Sequence, residues 1–460
     1  MKGLEINEEK IAKEMEKGDR VLAVVTATKP DFYKQAPVVH AARQKGLPCF
    51  IINTGQHYDD LLGHGLEEYG VSGDIGADLK IRGDLSEKSA DMFLRAKKLA
   101  KYLEKNYPEK TVLPLVHGDT LAAGIFPAAW MMATNQRCAH NEAGLRGMAP
   151  DYSNYKNIEK FISDQFNGSW EIDRNEPFPE QFDTFIGSAA CEYHFAPVDI
   201  NKKHLLNEGY PEKVNGEEKI VTVGNSVVDA IEMKKDEELE KSVFDVYPTL
   251  ERREDWIRVD IHRRANIHPE RFKSVVRGVV KLVKNGYNVN FVEMNATSKA
   301  LESCGLRDKI KRLDKENDNF LLTGLWKKHA HVYEFLESGQ CFAEYTDSGS
   351  MQEELNHIRD TLCLTARFNT DRPETVLDAH SNLLVPPISG DYVYEFIDHV
   401  YNNKDLREKM RSADKIYGKN VGEKISDFLR SRNKRIPYTW SHERAGVVDP
   451  NSVRKLKDDF

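Results

Sequence analysis

At 460 residues the chain is too long for one hydrophobic core and suits two domains. Its 40% apolar and 30% charged content is that of a globular protein, and a net charge of −8 argues against a general nucleic-acid binder. No apolar run approaches the roughly 18–20 residues that cross a bilayer, and the charged stretch 1–20 has no signal-peptide core. The expectation is therefore a cytoplasmic protein with no membrane partner. The six cysteines include no CxxC pair and read as buried, reduced thiols.

Residues 1–20 read as an amphipathic helix ahead of the first strand. The unbroken apolar run 21–27 is the mark of a strand buried on both faces. A helix over 33–44, a strand over 49–53, helices over 57–69 and 87–105, and a strand over 112–116 follow. Next come a helix over 120–133 and strands over 193–196 and 220–223. Such alternation predicts a doubly wound parallel α/β domain. Gly224-Asn225 and a helix over 226–238 lead into a charged, weakly apolar linker, 235–254. The pattern then restarts with a strand over 256–260, a helix over 269–284 and strands over 289–293, 320–322, 340–345 and 361–364. The expected domains are thus 1–224 and a second starting at 225, with a polar tail at the end of the chain.

Two segments carry carboxylates at strand ends, where open α/β sheets place ligands. They are His117-Gly118-Asp119-Thr120, after 112–116, and Glu142-Ala143-Gly144-Leu145-Arg146, after the weaker run 139–140. Two carboxylates converging on one cleft point to proton transfer. Between them and Glu180 lies 147–179, rich in Tyr, Asn, Asp and Phe. A connection that long reads as a lid or binding loop rather than a peripheral insertion.

In the second half, Asp260-Ile261-His262-Arg263-Arg264 places an imidazole and two guanidinium groups at a strand end, a credible anion site. Thr346-Asp347-Ser348-Gly349-Ser350-Met351-Gln352-Glu353-Glu354 follows a strand and opens a helix whose N-terminus attracts phosphate. Glu354, one turn in, could hold ribose hydroxyls. A capping box from Ser350 to Glu353 is compatible with that role. Arg372, in Thr370-Asp371-Arg372-Pro373-Glu374, offers another cation, although the segment alone reads as a surface turn. Gln56-His57-Tyr58-Asp59 reads as a helix start. No HExxH, CxxC or Asp-rich loop calls for a metal, and neither a nucleophile elbow nor a strict GxGxxG is present.

These motifs, with Lys29-Pro30-Asp31 through Lys34, Thr54–Asp59, Pro177-Phe178-Pro179-Glu180, Phe195-Ala196-Pro197 and Gly224–Ala230, occur in the order that resembles the non-hydrolysing UDP-N-acetylglucosamine 2-epimerases. The resemblance runs from about residue 21 to about 430, apart from 147–179. It implies two Rossmann-like domains of the glycosyltransferase-B type, the second spanning 225–416, with the site between them. A helix near 417–432 would pack back on the first domain, leaving 433–460 as a tail. It also implies a homodimer without metal or nicotinamide, acting on a UDP-sugar by elimination of UDP to a 2-acetamidoglucal and re-addition. Asp119, Glu142 and Glu180 would be the acid/base carboxylates, with His262 beside them. Lys29, Lys34, Arg146, Arg263, Ser348, Gly349, Ser350, Glu354 and Arg372 would form the substrate-binding set.

Departures from the resemblance cluster on the anion-binding side. Lys29 stands where the family has arginine, which changes a planar fork into a point charge. Gln181 and Asp183-Thr184 stand where a carboxylate and then Asn-Arg are expected, and Ser350 replaces a glycine. Ala265 replaces a glutamate, and Glu293-Met294-Asn295 lacks the histidine of a second, allosteric site. A divergent member is therefore expected, acting on UDP-N-acetylglucosamine or a modified relative. A hydrolysing 2-epimerase and a binding protein without catalysis remain alternatives, and a glycosyltransferase would rest on fold analogy alone.

Overall fold

The computed structural model describes residues 3–55, 66–214, 216–235, 239–326 and 328–432. The segment Gln56–Asp59 and the expected tail 433–460 lie outside them. The strands in chain order are β1 (Glu5–Ile6), β2 (Arg20–Thr26), β3 (Cys49–Asn53), β4 (Ile75–Asp78), β5 (Thr111–His117), β6 (Cys138–Asn141), β7 (Met148–Pro150), β8 (Trp170–Ile172) and β9 (Cys191–Ala196). They continue with β10 (Lys213–Val214), β11 (Glu217–Glu218), β12 (Ile220–Thr222), β13 (Trp256–Asp260), β14 (Val289–Glu293), β15 (Phe320–Gly324), β16 (Cys341–Thr346), β17 (Leu362–Thr365) and β18 (Asn382–Leu384).

An eight-stranded sheet runs β1-β4-β3-β2-β5-β6-β9-β12 and a six-stranded one runs β15-β14-β13-β16-β17-β18. Every pairing in the two is parallel except β1 on β4, at the first sheet's edge. Strands β1 and β4 were not expected from the sequence: both are short and of mixed polarity, β1 at the sheet edge and β4 next to it, where apolar patterning is weakest.

The order in which strands are added changes sides between β2 and β5 in the first sheet, and between β13 and β16 in the second. Ligand crevices open at such switch points, beyond the strands' carboxyl ends. These ends carry Thr28, His117 and Asp119 in one sheet and His262, Asp347 and Ser348 in the other. The helix after β2 starts at Lys29, earlier than expected. Pro30 suits its first turn, and the Asp31 carboxylate accepts from the Ala27 and Thr28 amides at 3.0 Å each. Late in the chain, helix Val421–Arg430 returns to this helix: a Cβ on Gly422 would lie 2.5 Å from the Pro37 carbonyl oxygen. Val421, Ile425 and Leu429 complete the apolar cluster on that side of the first sheet.

Of the segment 147–179, expected as a lid or binding loop, only Pro179 lines the cavity between the sheets. Instead Met148 and Thr370 exchange backbone hydrogen bonds of 2.8 and 2.9 Å. The Gln165 side-chain amide pairs with both the N–H (2.7 Å) and the C=O (3.0 Å) of Leu384. It thereby closes part of the exposed edge of β18. Phe161, Ile162 and Phe166 are buried in the second sheet's apolar core. The amphipathic stretch that looked like a loop is a strap whose aromatic face is spent on the neighbouring sheet. Phe161→Ala is therefore expected to destabilise the protein by about 3–5 kcal/mol in denaturant unfolding, where a surface insertion would lose almost nothing.

Candidate active site

Between the sheets lies a cavity of about 290 Å³. Lys34, Asp119, Glu142, Glu180, His262, Arg263, Ser350 and Arg372 line it, so residues from both halves of the chain share one chamber. At its base is a buried ionic lattice. The Lys34 ammonium sits 2.7 Å from Glu142 Oε1 and also hydrogen-bonds Glu353 Oε2. Arg372 donates from Nε to Glu353 (2.8 Å) and from Nη1 to Asp119 (3.2 Å), and it approaches Glu142 at 3.5 Å. The Asn225 amide donates to Glu142 Oε1 at 2.6 Å. His117 is 2.9 Å from Asp31 through Nδ1 and 3.3 Å from Glu142 through Nε2.

The surroundings separate these carboxyl groups electrostatically. Burial opposes ionisation of Glu142, but the charges of Lys34, His117 and Arg372 outweigh it and hold its pKa well below the usual range. Burial drives Glu353 strongly upward, and the neighbouring Glu142 charge adds to this. Burial raises Asp119 as well, with Asp371 and Glu180 reinforcing the shift against Arg372 and Arg263. Glu142 also holds a left-handed backbone, φ 61°, a sparsely populated conformation for a residue with a Cβ. Gly118 makes room for it: a Cβ there would meet Glu142 Oε2 at 2.8 Å.

Opposite stands the cationic wall. Asp347 accepts from the backbone N–H groups of His262 and Arg263, 3.0 Å each, and from the Asn266 amide at 3.1 Å. It thus fixes the turn that aims both side chains into the cavity. Burial would lower the pKa of His262, but the carboxylates of Asp260 and Asp347 outweigh that and raise it. Arg263 pairs with Glu180 across the chamber. Gly349 lets the guanidinium groups crowd in, since a Cβ there would lie 3.3 Å from Arg372 Cζ and 3.5 Å from Arg263 Nη2.

Residues 168–430 match the model of the UDP-N-acetylglucosamine 2-epimerase family, more than half of the chain. The chain belongs to that family. A Methanocaldococcus jannaschii UDP-N-acetylglucosamine 2-epimerase is 28% identical over 379 residues, covering 79% of this chain and 88% of that protein. A Neisseria meningitidis serogroup A protein of the same name is 25% identical over 412 residues, covering 87% and 96%. The crystal structure of the Methanocaldococcus jannaschii enzyme with UDP-GlcNAc and UDP superposes with a TM-score of 0.68 at 25% identity, covering 89% of this chain and 99% of that one. The Neisseria meningitidis enzyme bound to UDP-GlcNAc shares the fold, with a TM-score of 0.71 at 24% identity and coverage of 90% and 100%. Two Rossmann-like halves with a cleft between them are the architecture of this family member.

Other expected positions fall outside the cavity wall. Arg146 is a correction: it is fully buried and turned away, its Nε donating to Glu208 Oε1 at 2.6 Å while the guanidinium stacks 4.1 Å from the Phe185 ring centroid. The left-handed residues Glu142 and Gly144 turn the chain just before it. Ser348, not Ser350, caps helix Gly349–Ile358, accepting from the Met351 amide at 3.4 Å, so the Ser350–Glu353 capping box is also corrected. Glu354 is 1% exposed and accepts from the Tyr33 hydroxyl at 2.9 Å, behind the wall rather than in it. The Lys29 side chain lies outside the described residues. Sequence reasoning missed Glu353, Asp347, Asp31, Asn225 and Asp183 as site groups. Asp31 and Asp347 could have been flagged, because each is a short carboxylate just past an apolar strand.

Glu142 has a depressed folded pKa, so its ion pairs stabilise the fold above the ordinary value of 4.5 and fade as pH falls through the folded pKa. Glu142→Gln should therefore cost on the order of 3 kcal/mol at pH 7, Glu353 still holding Lys34. The gap from wild type in denaturant unfolding should narrow in acid; a gap constant down to pH 3 contradicts the assignment.

Proposed function

We propose that this chain interconverts UDP-N-acetylglucosamine and UDP-N-acetylmannosamine, or closely modified relatives, by eliminating and re-adding UDP. What carries the reading is the division of one small chamber into a carboxylate face and a cationic face. The proton on carbon 2 of the sugar is weakly acidic, so the base that takes it needs a pKa above the ordinary carboxylate range. Asp119, raised by burial and by Asp371 and Glu180, has that property. As the proton leaves, the C2–H electrons form the C1=C2 double bond. The C1–O bond breaks with its electron pair going to the β-phosphate oxygen of UDP. His262, with its raised pKa, and Arg263 line the same cavity and would stabilise that oxygen.

A second carboxyl must return a proton to the opposite face of carbon 2 before UDP re-adds at carbon 1. Glu180 suits this step because, among the described residues, its one ion pair is with Arg263. A diphosphate competing for Arg263 would release Glu180 when substrate is in place, free to take from solvent the proton it then delivers, while Asp119 gives its proton up to solvent. Glu142, held ionised by Lys34 and Arg372, serves instead as the fixed anchor that sets both cations. Homodimer formation and a cytoplasmic setting belong to the same proposal.

Incubation with UDP-N-acetylglucosamine in deuterium oxide tests the reading by NMR. Deuterium at carbon 2 of an intact UDP-sugar is expected. Accumulation of UDP and free N-acetylmannosamine would assign the hydrolysing reaction instead, and no exchange at all would refute both. Asp119→Asn should slow the exchange by about 10²–10⁴-fold with the fold unchanged.

A further inference from the structure

Helix Glu180–Ala189 brings a second carboxyl to the cavity wall one turn after Glu180. Asp183 is completely buried, and neither of its oxygens has a hydrogen-bond partner among the described residues. The helix packed against it, Leu121–Thr134, carries no ionisable side chain, and a Cβ on Gly124 would lie 2.6 Å from Asp183 Oδ1. The charges that act on it are the carboxylates of Asp119 and Glu180. Strand β9, behind the helix, adds nothing to the cavity wall. Across the chamber, Arg263 is paired with Glu180, and Arg372 with Glu353, Asp119 and Asp371. His262 and Arg264 complete that wall, and no cation forms an ion pair with Asp183 among the described residues.

An uncompensated buried carboxylate is costly, so the group takes up a proton instead. Burial, with the Asp119 and Glu180 charges, pushes the Asp183 carboxyl up to about 8. At neutral pH it carries an O–H donor with no acceptor among the described residues; its oxygens are closed off against Gly124, and a turn of the side chain would bring that proton to the chamber, beside Asp119 and Glu180.

We propose that Asp183 is a ligand-recognition residue of this cleft, donating its carboxyl proton in a hydrogen bond to an oxygen of the bound nucleotide sugar and rejecting that ligand once ionised. The inference rests on the nucleotide-sugar reading above. Ionisation removes the donor and adds a negative charge beside a diphosphate, so both effects weaken binding in the same direction. Binding is then constant while Asp183 is neutral and falls as pH rises through its titration.

Calorimetric titration with UDP-N-acetylglucosamine between pH 6.5 and 9 tests this, using wild type, Asp183→Asn and Asp183→Leu. Asn keeps a neutral donor at every pH, and Leu removes donor and charge together while keeping the site apolar. If only the neutral form binds, wild-type Kd rises about tenfold from pH 7 to pH 9 through this group. The ratio of variant to wild-type Kd should therefore fall about tenfold over that range for both variants. Any pH dependence from His262 is common to all three proteins and cancels in the ratio. At pH 7, Leu should bind several-fold more weakly than Asn. A ratio that stays flat with pH, in variants that bind, overturns the role of Asp183 and leaves the nucleotide-sugar reading intact. No binding by any of the three at any pH overturns both.

Discussion

A lysine buried between two glutamates organises this molecule. Lys34 comes from the first sheet's leading helix, Glu142 from the end of β6, and Glu353 from a helix that follows β16. Removing these groups from water costs several kcal/mol per ion, and only close, well-saturated pairing offsets that. Arg372 supplies the second cation, reaching Glu353, Glu142 and Asp119 together. Neither half of the chain could carry its share of these charges alone. The lattice therefore specifies how the two halves meet, and by doing so it sets where Asp119 stands.

The strap acts on the same relation through apolar contact. It leaves the first sheet after β6, contributes Phe161 and Phe166 to the second core, and returns to the first sheet in helix Glu180–Ala189. Arg271 and Glu176 pair at 3.1 Å near its end, and Asn369 donates to Asp173 at 2.7 Å. Glu180 and Asp183 thus reach the chamber at the end of a segment anchored on the opposite sheet. Hydrophobic burial and buried ion pairing, two different forces, converge on one cleft geometry. Within it the carboxyl groups are sorted by environment: the pKa of Glu142 is held down, and those of Asp119, Glu353 and Asp183 are pushed up.

The strand–helix alternation was legible because buried parallel strands are continuous apolar runs and helices are not. Asp119, Glu142 and His262 were legible for a related reason, since each follows such a run and parallel strands deliver their ends to the crevice. Arg146 was misplaced because it shares a motif with Glu142, yet two left-handed residues between β6 and Arg146 swing it towards Glu208. Ser350 and Glu353 fit a capping box as well as any pair, but Ser348 took the cap and Glu353 was drawn to Lys34 and Arg372. The aromatic richness of 147–179 showed that the segment buries something, without showing which surface.

The amino-acid order by itself determined the central strands and helices of both sheets, their parallel arrangement and the strand ends that carry the chemistry. All of these follow from interactions within a few residues or from the period of apolar side chains. Only the tertiary structure decided which charges pair, which carboxyl groups stay neutral, and where the strap docks. Those outcomes depend on desolvation and on Coulomb terms summed over residues hundreds of positions apart, such as Lys34 with Glu353 and Asp119 with Arg372. No local pattern encodes such sums, because each partner's contribution is set by how completely the others exclude water.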